Sequence, residues 1–189
     1  RDAPCGPIDG VKQVLGSPGV FIGDMHGTVE SPAFLSALAC HSMKTGRPLV
    51  VAMEYDAKDQ AVVEQFLITP DENKAVEALT ATPHWTGNHD GRASAAMRDA
   101  LLEIRRLARG GNRVKLVAYD FGGATSAERD RKSAELIRQI RSNGNSKAFW
   151  IVFGGNVHAR KTKGLPFLNA PAGAADHEPA VARVERLVR

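Results

Sequence analysis

The chain has 189 residues, with 25 Lys+Arg against 21 Asp+Glu for a formal net charge of +4, and 43% hydrophobic and 24% charged residues. That composition is ordinary for a soluble globular protein and the length suits one domain with a sizeable core, here read as 1–189. No apolar run reaches the roughly 18 residues that a membrane-spanning helix needs, and the late basic cluster Arg160, Lys161, Lys163, Arg183, Arg186 and Arg189 lacks the interleaved aromatics of a nucleic-acid platform.

The cluster reads as a solvated surface, or as one that favours an anionic partner. The sequence starts at Arg1 without a signal peptide, which fits a processed exported protein or a trimmed sequence. A periplasmic or secreted location is favoured over a cytoplasmic one. Cys5 and Cys40 allow either one disulfide or two buried thiols, and spacing does not choose between them.

Residues 1–18 hold Pro4, Gly6, Pro7, Gly10, Gly16 and Pro18 and are expected to form an irregular lead-in with one short helical turn. A strand over 19–25 comes next and runs into Gly23-Asp24-Met25-His26-Gly27-Thr28. Ser31 suits an N-cap and Pro32 the first helical position, with Phe34, Leu35 and Leu38 at helical spacing until Gly46. Pro48 to Met53 is continuously apolar, as in strands buried on both faces, and ends on Glu54. Asp56 can cap a helix whose inner face is Val62, Val63, Phe66 and Leu67, and Val76 and Leu79 predict a short further helix.

Residues 80–94 read as a polar loop carrying His84, Trp85, His89 and Asp90-Gly91-Arg92, and long loops of this kind are usually functional. Met97, Ala100, Leu101, Ile104 and Leu107 form the clearest helical stripe, ended by Gly110-Gly111. A third strand over 113–119 ends on Asp120, and Thr125-x-x-Glu128 reads as a capping box for a helix with Ala134, Ile137 and Ile140 inward. A fourth strand, 147–153, leads to Gly155-Asn156-Val157-His158. After Pro166, Pro171, Gly173 and Pro179, the stretch 164–189 is expected to be irregular apart from a short helix over 179–188.

Strands alternating with helices predict an α/β fold with a mainly parallel central sheet and helices on both faces. Each strand then ends on a residue able to do chemistry, namely His26, Glu54, Asp120 and His158, and parallel strands gather these ends along one edge, where α/β sheets bind ligands. Taken singly, a histidine there can be structural and Asp120 can be the next helix's N-cap. A carboxylate at the end of a buried strand, as at Glu54, is costly unless paired or coordinated. Two imidazoles with Glu54 and Asp120 match the ligand types of a hydrolytic divalent-metal site. The same groups work without metal, one histidine being a general base on water while Glu54 orients it or acts as partner acid. Arg92 and Arg129 are candidates for holding an anionic group or an oxyanion, or else they form surface ion pairs with Asp90 or Asp130. His84 and His89 read as solvent-facing or substrate-rim residues, and His41 and His177 as structural or exposed. Gly23 and Gly155 read as places where the backbone turns close beside a ligand.

The set Gly23-x-x-His26, Glu54 and Gly155-x-x-His158 resembles the pattern of the erythromycin esterase-like, TraB/TIKI-like and ChaN-like superfamily, above all the small bacterial ChaN/EreA-type proteins. The likeness runs over residues 19–160 and takes in the GxMHGT-like turn, Asp90-Gly91-Arg92, the strand ending at Asp120, Arg129-Asp130 and the GNxHA-like end. It implies an EreA/ChaN-like α/β fold with a cleft at the strand ends. In related members two histidines and the glutamate carry hydrolysis, by acid–base chemistry in one branch and with a divalent metal in another, while the ChaN-like branch is associated with haem. Carried over here, His26, Glu54 and His158 are the matching positions, and residues 164–189 depart from the pattern by lacking the further strand of larger members. The expectation is a hydrolase for an ester or amide bond in a small-molecule or peptide substrate. The alternative is a haem- or metal-binding protein without turnover, with Tyr55, Tyr119 or a histidine as axial ligand. The sequence says nothing of oligomeric state.

Overall fold

Continuous apolar strands need cover on both faces, and the computed structural model provides it for the residues it describes, 5–87, 90–122 and 126–161. The elements run α1 (Val11–Leu15), β1 (Gly19–Asp24), α2 (Glu30–Met43), β2 (Leu49–Asp56), a 3₁₀ turn (Ala57–Asp59), α3 (Gln60–Ile68) and α4 (Glu72–Thr80). After these come α5 (Pro83–Gly87), α6 (Ala95–Arg109), β3 (Val114–Asp120), α7 (Ser126–Ser142), β4 (Phe149–Gly155) and α8 (Asn156–Ala159). All strand pairs are parallel, in the order β1-β4-β2-β3.

This order explains the burial pattern. Strands β2 and β4 are central, and β4 is buried at every position, as is β2 up to Tyr55. Alternate residues split the core in two. Leu49, Val51, Met53 and Tyr55 face α2, α3 and α6 through Leu35, Leu38, Phe66, Leu101 and Ile104, while Val50, Ala52, Val117, Trp150 and Val152 face Ile137 of α7. Burying each large apolar side chain contributes about 1.5–3 kcal/mol. The expected helix stripes hold at Ala100, Leu101, Ile104, Ala134 and Ile137. The tail over 164–189 and Thr125 of the expected capping box lie outside the described residues.

Several local expectations are revised. The second helix starts at Glu30 with Val29 as N-cap, not at Ser31, because the Thr28 hydroxyl donates to the Met25 carbonyl and shares a hydrogen bond with Ser31. Phe34 is exposed. Strand β2 continues past Glu54 to Asp56, with a register shift between Met53 and Asp56, so Glu54 lies inside the strand. Asp56 does act as a cap, for the 3₁₀ turn, accepting from the Lys58 amide at 3.1 Å. Residues 80–94 are not all loop, since Pro83–Gly87 is a helical turn. Cys5 and Cys40 form a disulfide with Cα atoms 5.6 Å apart, tying the lead-in to α2. His41 Nε2 lies 2.8 Å from the Gly6 carbonyl and donates to it, a structural role.

Candidate functional site

Glu54 is the hub of the sheet's carboxyl edge. It is only 6% exposed, and an unpaired carboxylate there would be expensive. Three donors satisfy it: Arg92 Nη1 at 2.9 Å and Arg129 Nη2 at 2.7 Å on Oε1, and the Gly155 amide at 2.6 Å on Oε2. Gly155 ends β4, next to β2, so sheet topology alone brings that amide to Glu54.

Each arginine is held in turn by an aspartate. Arg129, from the first turns of α7, grips Asp120 through Nε–Oδ1 at 2.5 Å and Nη2–Oδ2 at 2.7 Å, a bidentate fork that fixes both groups. Arg92 donates to Asp90 Oδ2 from Nε at 2.9 Å and Nη2 at 2.8 Å. Burial works against both guanidinium charges. The Asp120 hydrogen bond and the charges of Asp120 and Glu54 outweigh it at Arg129, and Asp90 and Glu54 do so at Arg92, so both are held more firmly protonated than free arginine. Arg92 thus pairs with Asp90, one of the expected alternatives. Arg129 pairs with Asp120 instead of Asp130, and Asp120 is an arginine clamp instead of an N-cap.

The two histidines flank this hub. His26 Nδ1 lies 2.7 Å from Asp24 Oδ2, and His158 Nδ1 lies 2.5 Å from Asp130 Oδ1. A carboxylate only accepts, so each Nδ1 carries a proton and each Nε2 is left to act. His158 Nε2 is 3.8 Å from Glu54 Oε1. A methyl group built on Gly155 would sit 3.0 Å from His26 Nε2 and 3.5 Å from Glu54 Oε2, so His26 reaches the same hub across that glycine. Burial would lower the His158 pKa, but the Asp130 hydrogen bond and the Asp130 and Glu54 charges together raise it above the ordinary value of 6.5. His26, Glu54, Asp120 and His158 are therefore brought together with Arg92 and Arg129, though only Asp120 ends its strand: His26 lies two residues past β1, Glu54 inside β2 and His158 in α8. Sequence reasoning misses the orienting aspartates Asp24 and Asp130. Asp24 has a signal, being two residues before His26 at a strand end and so on the same side; Asp130 is close only through the packing of α7.

Of the two glycines expected beside a ligand, Gly155 lies against His26 and Glu54 and Gly23 does not. Gly23 makes room for α8 and not for a ligand, because a Cβ there would lie 2.5 Å from Asn156 Oδ1 and 3.0 Å from Ala159 Cβ. Gly154 admits the Tyr119 hydroxyl, which a Cβ would meet at 2.1 Å and which donates to the Phe153 carbonyl at 3.2 Å.

The donor set does not suit a divalent cation. Glu54 Oε1 and both Asp120 oxygens already accept from guanidinium groups, and Glu54 Oε2 from the Gly155 amide, so a cation would have to displace them against two fixed positive charges. Among the described residues no three His, Cys, Asp or Glu side chains form a metal-holding group. Nor do the tyrosines fit a haem axial ligand, which acts as tyrosinate. Tyr55 and Tyr119 are 4% and 2% exposed, and burial pushes both hydroxyl pKa values well up.

His84 is not solvent-facing. It is buried, with its ring centroid 3.9 Å from that of Tyr55, and burial followed by the Arg92 charge pulls its pKa down to about 4. It lines a polar cavity of about 270 Å³ with Glu54, Lys58, Arg92, Asp120 and Arg129. His26 and His158 are not in that lining; their side chains are 27% and 14% exposed. His89 and His177 lie outside the described residues.

No family model and no curated protein matches the chain. Solved structures do. The type III effector HopBA1 aligns with a TM-score of 0.54 at 17% identity, over 89% of this chain and 77% of that one. RRSP, a MARTX toxin effector domain from Vibrio vulnificus, aligns with a TM-score of 0.54 at 16% identity over 94% of this chain, which spans 35% of that structure. The ChaN of Campylobacter jejuni, described as binding haem cofacially, gives 0.49 at 14% identity over 81% and 76% of the two chains. What this chain shares with the two effectors is the α/β fold, here a four-stranded parallel sheet with helices on both faces.

Proposed function

We propose that this chain hydrolyses an ester or amide bond in a small-molecule or peptide substrate, by acid–base catalysis at His26 and His158. The observation that carries the reading is the paired arrangement: two imidazoles, each tied at Nδ1 to a buried aspartate, with His158 Nε2 3.8 Å from an arginine-clamped carboxylate and His26 Nε2 beside Gly155, whose amide holds that same carboxylate. In this reading His26 takes a proton from the attacking water. A group poised as an acid should hold its proton near neutral pH, and the raised pKa of His158 suits it to protonate the leaving group. Glu54 is an anchor here, since its oxygens are occupied. Arg129 Nη1, which has no partner among the described residues, is the donor offered to the oxyanion, an interaction that strengthens as charge develops.

The test is turnover of a panel of nitrophenyl esters and anilides. His26→Ala and His158→Ala should each lower kcat by about 10²–10⁴ with folding intact, and chelator treatment should leave the rate unchanged. Turnover that tracks bound metal, or survives both substitutions, would sink the reading. The Cys5–Cys40 disulfide supports location in an oxidising compartment; thiol-trapping of the protein from its native host, showing free cysteines, would refute that.

A further inference from the structure

Behind the Asp24–His26 pair, on the α2/α6 face of the sheet, is a second and much smaller cavity. It is bounded by Asp24, His26, Met53, Tyr55, Met97 and Phe153, with Glu54, His84, Arg92 and Gly154 completing it, and leaves about 10 Å³ for the centre of a water molecule. That is the room one water requires, and a lodged water also needs at least two polar partners. Two are present. Asp24 is 5% exposed, and its Oδ1 has no hydrogen-bond partner among the described residues; Oδ2 is the atom that holds His26. Tyr55 is 4% exposed, and its hydroxyl likewise has none. The Trp85 indole N–H leans towards the Tyr55 oxygen, outside full hydrogen-bond geometry, and it can only donate. The Tyr55 proton therefore still lacks an acceptor, while Asp24 Oδ1 lacks a donor. Glu54 does not serve Tyr55: its oxygens hold Arg92, Arg129 and the Gly155 amide, and the Tyr55 hydroxyl is not among its partners.

We propose that this cavity is a binding site for one internal water, which accepts from the Tyr55 hydroxyl and donates to Asp24 Oδ1, making Tyr55 a positioning residue for His26. The buried donor and the buried acceptor are then both satisfied, as buried polar groups in proteins nearly always are. The resulting chain runs Tyr55, water, Asp24, His26 Nδ1. It holds the Asp24 carboxylate in the plane that keeps His26 Nε2 directed at the hub. Tyr55 and Asp24 thereby act as a unit although they come from β2 and β1, which are separated by β4. The site stands on geometry whether or not the chain is a hydrolase, so its test does not use turnover.

Crystal structures of the full chain and of Tyr55→Phe, refined to high resolution, should show one well-ordered water bonded to Asp24 Oδ1 and Tyr55 Oη in the first and its loss in the second. In parallel, the His26 Nδ1 proton should resonate further downfield in Tyr55→Phe. With a donor removed from its far oxygen, Asp24 accepts more strongly from the imidazole. Trp85→Phe is the control for altered packing in this corner, and should keep both the water and the resonance position. A dry cavity in the unaltered protein, or a His26 signal that does not move in Tyr55→Phe while that variant melts normally, would overturn the proposal.

Discussion

At the scale of single residues, the site is governed by how each buried ionisable group is balanced. Glu54 and Arg129 are legible in the sequence as charges at strand and helix ends, but their partnership with each other is not. His84 and His158 illustrate opposite outcomes for the same side chain. His84 is buried with Arg92 nearby and is neutral, its pKa near 4. His158 is half-buried with Asp130 and Glu54 nearby, and its pKa is raised. Linkage then gives opposite pH windows. The unfolded chain, with histidine near 6.5, binds more protons than folded His84 between about pH 6.5 and 4, so stability falls as pH drops through that window. Folded His158 binds more protons than the unfolded chain above about pH 6.5, so its contribution is complete below that value and is lost as pH rises through the raised folded pKa. Denaturant midpoints taken at about pH 5, 6.5 and 8.5 should be highest in the middle. His84→Leu should flatten the acid limb and His158→Gln the alkaline limb; limbs unchanged by these substitutions would show that other groups control the profile.

At the scale of elements, two turns hold the site together. Gly27, at φ +86°, comes directly after His26, and Gly91, at φ +94°, lies between Asp90 and Arg92. A Cβ on Gly91 would lie 2.3 Å from both Gly27 Cα and Gly27 N, so backbone rests on backbone and only glycine fits. This contact is what carries Arg92 from the loop before α6 to Glu54. Gly91→Ala meets both the steric overlap and the disfavoured φ, and should cost about 2 kcal/mol or more in a urea titration. Helix α6, capped at Ser94, should still form, so helical content by circular dichroism should persist while any His26-dependent turnover drops. Full stability in that variant would mean the loop is not seated on the His26 turn. A third device has no signature in the sequence. Arg105 is 1% exposed within the apolar stripe of α6, and its guanidinium donates to the Phe66, Thr69 and Pro70 carbonyls that end α3. A cation is at home against the unsatisfied carbonyls of a helix end, but nothing local to α6 announces that α3 will end there.

At the scale of the whole molecule, the disulfide and the sheet order set the frame. Cys5–Cys40 closes a loop of 35 residues around α1, β1 and most of α2, and restricting the unfolded chain in this way contributes about 2–4 kcal/mol. Reduction, or Cys5→Ser with Cys40→Ser, should lower the denaturation midpoint accordingly without displacing Glu54, whose partners come from other elements; no change in midpoint would show the bridge to be energetically idle. The sequence by itself determined the α/β class, all four strands, and the gathering of His26, Glu54, Asp120 and His158 at one edge. Those features come from hydrophobic periodicity and from the geometry of parallel strands, which are local properties. Tertiary structure alone decided the strand order that puts Gly155 beside Glu54, the pairing of Cys5 with Cys40, the aspartate behind His158, and the occupation of Glu54 by arginines and not by a cation. Each of these joins residues brought together by the packing of separate elements, where no spacing rule reaches and only the closing of the fold brings donor to acceptor.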